Sequence, residues 1–179
     1  MALSDLASIG SFFSGLAVVV TLLFLLLQMR QANLNQRALM QQMRSARMID
    51  TILRHAEPGL NRVISQAMQG DAEMDDEQIR AFVAAIDATL FNWEDTFLQH
   101  KAGTLDAAGL ESDESALRDL SVIPAFRVAW KMGRKYFSSG YRDFVDAIMH
   151  ETKAIPSPNL KSTWNAMMAD ELATVGGSQ

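Results

Sequence analysis

Twenty-four consecutive residues, Leu6 to Met29, carry no charge, and this run constrains the fold more than any other feature. As a helix at about 1.5 Å per residue it reaches roughly 36 Å, enough to cross a hydrocarbon core of about 30 Å with some tilt. Its second half, Leu16 to Leu27, is hydrophobic at nearly every position. In lipid only a helix satisfies the backbone of such a segment from within. The run therefore predicts one transmembrane helix over 6–29. A cleaved signal peptide fits poorly: Met1 to Asp5 contains no Lys or Arg, and Leu27-Gln-Met-Arg-Gln31 contains no small-x-small cleavage site.

The flanks set an orientation. Asp5 is the only charge before the run, whereas Arg30, Arg37, Arg44 and Arg47 follow before the first acid, Asp50. Basic residues favour the cytoplasmic side. The expected layout is an extracytoplasmic N-terminus (1–5), the span (6–29), an Arg-rich helical extension (30–57), a helical cytoplasmic domain (58–174) and a tail (175–179). The predicted location is the inner membrane of a bacterium. The chain has no cysteine, which suits the cytoplasm and removes disulfides and thiolate metal sites from consideration.

Charge is unevenly spread. Residues 71–119 hold thirteen acids against Arg80, Lys101 and Arg118, whereas 120–153 hold six Lys and Arg against Asp143, Asp146 and Glu151. The acidic middle would repel phosphates, so nucleic acid is excluded as a partner. The lipid bilayer is the first expected partner.

Beyond the span the signals are helical throughout, and the expected fold class is all-α. No breaker interrupts the chain before Pro58-Gly59, so the membrane helix continues as a rod. On a helical wheel Leu34, Ala38, Leu39, Ala46, Ile49, Ile52 and Leu53 share one half, and Arg30, Arg37, Arg44, Arg47 and Arg54 the other. The apolar residues alone keep no strict heptad. Pro58 to Gly70 reads as a second helix. Asp75 with Gln78 resembles a capping box, opening a stripe of Ile79, Phe82, Val83, Ile86, Leu90, Trp93 and Phe97 at spacings of three and four. Further helices are expected over 113–122, 124–137, from Ser138 or Ser139 to Ala154, and 161–174.

Two sets of residues are candidates for function. Within the span Ala7, Ser11 and Gly15 recur every four residues, as do Gly10 and Ser14, with Ala17 continuing that side. Small residues at this spacing let membrane helices approach closely, so this face is expected to dock with another membrane protein or with a second copy. The other set is basic and aromatic. Arg127, Trp130, Lys131 and Arg134 lie in one short helix, and with Arg30 and Arg37 they are candidates for contact with an anionic ligand or lipid head group. Catalysis has weaker footing. Asp146 and His150 are one turn apart, and Glu94 and Asp95 are adjacent, but no motif of a known catalytic class is present. The expectation is a non-enzymatic accessory subunit or homo-oligomeric scaffold without a cofactor or metal. The alternative is a membrane-tethered domain that senses an anionic metabolite or lipid.

The opening Leu3-Ser-Asp-Leu-Ala-Ser-Ile-Gly-Ser-Phe-Phe-Ser-Gly15, running on to Gln28-Met-Arg-Gln31, resembles that of a group of small bacterial single-pass inner-membrane proteins. So does Pro124-x-x-Arg127-x-x-Trp130 followed by Tyr136-Phe-Ser-Ser-Gly-Tyr-Arg-Asp-Phe-Val-Asp146. The resemblance implies one N-terminal span leading into a helical cytoplasmic domain. Members typically carry two adjacent tryptophans where this chain reads Ala129-Trp130, and a proline where Ser139 or Gly140 stands. The resemblance thus brings an architecture, without catalytic residues.

Overall fold

The computed structural model describes residues 3–71, 73–156 and 159–176, with side chains from residue 9 to residue 174. Among them are seven α-helices and no strand: α1 (Leu3–His55), α2 (Pro58–Met68), α3 (Asp76–Lys101), α4 (Ala107–Ser121), α5 (Pro124–Gly133), α6 (Ser139–Glu151) and α7 (Leu160–Gly176), with a 3₁₀ turn over Arg134–Tyr136 between α5 and α6. The all-α reading holds, and so does the continuation of the apolar N-terminal helix past residue 29.

Two compact units divide inside α1, at Arg47 and Met48. In the first unit α1 is long and apolar enough to cross a membrane, and its aliphatic and aromatic side chains from Ile9 to Met29 stand exposed.

In the second unit α3 is the central helix, packed against α2, α4, α5 and α6. Its ends follow from local chemistry. The Asp75 carboxylate accepts from the Gln78 amide, while Gln78 Oε1 accepts from the Asp75 amide, closing a capping box. At the C-terminus Gly103 adopts φ 72°, and Gly103 and Thr104 donate to the carbonyls of His100 and Gln99. Gly70 ends α2 by the same device, at φ 76°. An L-residue there would be strained by its own backbone, so glycine is favoured.

The stripe read from the sequence becomes the core. Phe82, Ile86, Leu90 and Trp93 of α3 are buried against Leu117 of α4, Phe126 and Trp130 of α5, and Tyr141, Val145 and Ile148 of α6. Aromatic rings fill the centre: Trp130 lies 5.3 Å from Phe137 and meets Tyr141 edge-on at 6.3 Å.

Three boundaries differ from the expectation by three residues or more, one of them the end of α6, at Glu151 rather than Ala154. α4 begins at Ala107 rather than residue 113, because the Asp106 side chain accepts from the Gly109 amide and caps a helix six residues earlier. Beyond Gly133 the α5 chain tightens to the 3₁₀ turn rather than running on as α-helix to Phe137. Pro58 and Pro124 start their helices as expected. Ser157, Pro158 and residues 177–179, part of the expected linker and tail, lie outside the described residues.

Candidate functional site

The basic and aromatic segment folds inward. Pro124 starts α5, and the three- and four-residue spacing of Phe126, Ala129, Trp130 and Gly133 puts all four on the buried face. Burial of an indole demands a partner for its N–H, and Trp130 Nε1 donates to Asp146 Oδ1 at 2.9 Å. Arg134, one turn further, reaches the same carboxylate, with Nε 2.9 Å from Oδ2 and Nη2 donating beside it. The Arg134 hydrogen bond holds the Asp146 carboxyl below the usual carboxylate range, and the Trp130 indole adds to the effect. The same pairing raises the Arg134 guanidinium. Arg127 goes elsewhere. Its guanidinium donates to the carbonyls of Met149 and Thr152, at the end of α6. A cation at a helix C-terminus opposes the partial negative charge of the unsatisfied carbonyls.

Of the four candidates on this segment, Trp130 and Arg134 are therefore brought together on Asp146, Arg127 caps α6, and Lys131 is exposed. Two of the cations that looked available for an anion, Arg127 and Arg134, hold the domain's own helices together. Arg30 and Arg37 are exposed on α1.

The acids also have structural partners. Glu94 Oε1 accepts from the Ser138 amide at 2.7 Å. Thus the N-terminus of α6 is capped by a carboxylate from α3, while the Ser138 side chain makes no cap bond. Asp95 accepts from Gln99, Asp146 pairs with Arg134, and His150 is exposed. Among the described residues no three His, Cys, Asp or Glu side chains cluster as metal ligands. The Tyr141 hydroxyl, buried against Trp130, is pushed up from its ordinary value by burial and by the charges of Glu94 and Asp113.

The small-residue face of α1 is uncovered. Gly10, Ser11, Ser14, Gly15 and Ala17 are exposed, and a Cβ added at Gly10 or Gly15 would meet nothing within 4 Å. The Ala7 side chain lies outside the described residues. Thr21, one turn beyond Ala17, turns its hydroxyl back to the Ala17 carbonyl at 2.8 Å, the usual way of satisfying a hydroxyl in an apolar helix.

Two apolar surfaces escaped the sequence reading. A groove of about 320 Å³ runs between α2, α3 and α5, lined by residues such as Met74, Phe82, Val83, Ala125 and Met132. Val128 and Met132 lie off the buried face of α5, which was the only available signal. The second surface is α7, where Leu160, Trp164 and Met167 follow at steps of four and three and, with Met168 and Leu172, remain exposed, Trp164 at 62%.

The comparisons with known proteins add nothing to this geometry: no family model, no curated protein and no solved structure matches the chain.

Proposed function

We propose that this chain is a non-enzymatic, membrane-anchored docking protein. Its α1 helix lies across the inner membrane of a bacterium with the N-terminus outside, and α2–α6 form a cytoplasmic domain. Its function is association, as an accessory subunit of a larger membrane complex or as a scaffold built of its own copies. The small-residue face and the exposed apolar faces of α1 and α7 are its working surfaces, and kinship with the single-pass group named above fits this layout.

One observation carries the reading. Three of the charged side chains of α5 and α6 that suggested chemistry are occupied within the domain, Arg134 with Asp146 and Arg127 with the end of α6, while large apolar side chains outside the core stand exposed. The competing reading, an anion sensor on Arg127, Trp130, Lys131 and Arg134, draws no support from this arrangement. The groove beside α5 is lined by apolar side chains apart from Asp71, an acid that would repel an anion.

Extraction of the full chain in mild detergent, with identification of what accompanies it, tests the proposal. Leucine at Gly10, Ser14 and Gly15 is expected to abolish the accompanying protein or reduce the particle size. A chain that stays in solution without detergent, or whose company and particle size survive these substitutions, overturns it.

A further inference from the structure

Apolar residues alone keep no heptad along α1, but the full pattern of uncharged and charged residues does. Arg30, Arg37 and Arg44 recur every seven residues and therefore share one side of the helix. On the side away from them, steps of three and four run through Gln28, Ala32, Asn35, Leu39, Gln42 and Ala46 to Ile49 and Leu53. Followed towards the N-terminus, the same steps pass Leu25, Thr21 and Val18 to Ser14 and Ser11, with Gly10 and Gly15 on the flanks. The docking face of the span and the rod's uncharged seam are one stripe. No charge lies on it or on its immediate flanks before Asp50.

The domain end of α1 shows which side is already in use. Met48 packs against the core, and Thr51 Oγ1 accepts from Asn92 Nδ2 at 3.1 Å. Ile49 and Leu53 of the seam point away from that side and are exposed, at 57% and 63%. Over residues 48–53 the seam is therefore not the side packed against the core.

We propose that α1 pairs along this seam with α1 of a second copy, parallel and in register. This rests on the reading of α1 as a membrane span and names the partner for it. Gln28, Asn35 and Gln42, seven residues apart, identify the occupant. An amide carries both a donor and an acceptor, so each is complementary to its own copy across a two-fold axis. Gln31 donates to Asn35 Oδ1 within one helix at 3.0 Å, and the Asn35 amide nitrogen remains the group to donate across the seam. Amides at such positions fix register at some cost in stability. Two spans in one bilayer also share one depth, and slipping by a heptad displaces a helix by about 10 Å. A strict three-four repeat over this length further requires the pair to supercoil left-handedly.

The natural chain has no cysteine, so single cysteines report the geometry directly. In native membranes containing the full-length protein, Ala32→Cys and Ala46→Cys on the seam are expected to form disulfide-linked dimers on mild oxidation. Asn33→Cys and Arg37→Cys, off the seam, should yield at least about tenfold less, since Cα atoms more than about 7 Å apart cannot be bridged. Co-expressed Ala32→Cys and Leu39→Cys chains, offset by one heptad, should cross-link to each other at least about tenfold less than Ala32→Cys chains do among themselves, and equal yields overturn the register. Equal cross-linking on and off the seam overturns the pairing, and so does absence of cross-linking at all four positions. In either case the proposed function stands if another membrane protein still accompanies the chain, and falls with the pairing if none does.

Discussion

Helices α5 and α7 are built from similar material and end in opposite situations. Each has one tryptophan, with methionine and aliphatic residues at helical spacing. In α5 the indole is 2% exposed and hydrogen-bonded to Asp146, inside a shell from α3 and α6. In α7 the indole of Trp164 is 62% exposed. The residue types are alike; their arrangement along the helix and their surroundings differ. An apolar stripe states that a face needs cover, and only the neighbouring elements decide whether the chain supplies it or a partner must.

The largest effect expected from this contrast is on thermal stability. Trp130→Ala should cost about 3–5 kcal/mol, as other large buried aromatics do, and it leaves Asp146 without its indole donor. Trp164→Ala in the isolated protein should stay within about 0.5 kcal/mol. Thermal unfolding of the full chain in mild detergent measures both, and equal losses would break the comparison.

Next comes the contact of α5 with α3. A Cβ on Gly133 would land on the Asp87 carboxylate, so Gly133→Ala is expected to cost about 1–3 kcal/mol through overpacking. The loss should shrink in an Asp87→Ala background, which a double-mutant cycle on the same unfolding signal would reveal. Additive losses would mean that the two positions do not press on each other.

The end of α6 is worth less. Arg127→Met removes the cation from the Met149 and Thr152 carbonyls and should cost about 1 kcal/mol. Lysine at the same position should restore part of it, because charge and reach are kept while the fork of donors is lost.

The smallest effects sharpen the comparison through pH. Asp146 has its pKa lowered by Arg134, so its pairing stabilises the fold above the ordinary carboxylate range. That contribution is lost as pH falls through the lowered value, and Asp146→Asn should remove this acid dependence. Asp87 has the opposite sign. Burial raises its pKa, and its Oδ1 has no hydrogen-bond partner among the described residues, so its charge opposes folding at neutral pH. Protonation on acidification relieves that cost. Asp87→Asn should therefore stabilise at neutral pH and lose its advantage in acid, as unfolding midpoints across a pH series would show.

Much of the architecture was legible because its causes are local. The Asp75–Gln78 box, Pro58, Pro124 and the glycines after α2 and α3 act within a turn of chain, and the positions of Phe82, Ile86, Leu90 and Trp93 announce their shared face by spacing. The start of α4 was misread because Asp106 sits in a turn-rich stretch, where an acid reads equally as loop or cap. The candidate site was less legible. Arg127 and Arg134 are separated from Met149, Thr152 and Asp146 by 12 to 25 residues, a distance over which no periodicity speaks. The use of Glu94 as the cap of α6, 44 residues away, left no sequence signal at all.

By itself the sequence determined that this protein is helical, that one N-terminal helix is long and apolar enough to cross a membrane, and that α3 turns an apolar stripe to the core. These follow from hydrophobic periodicity and length, which each segment carries alone. Only the tertiary structure decided where the charges go. A guanidinium free to meet a ligand and one tied to a helix end are the same residue in sequence. Packing brought α6 against α5 and made Arg127 and Arg134 part of the scaffold, while the faces of α1 and α7 remained uncovered.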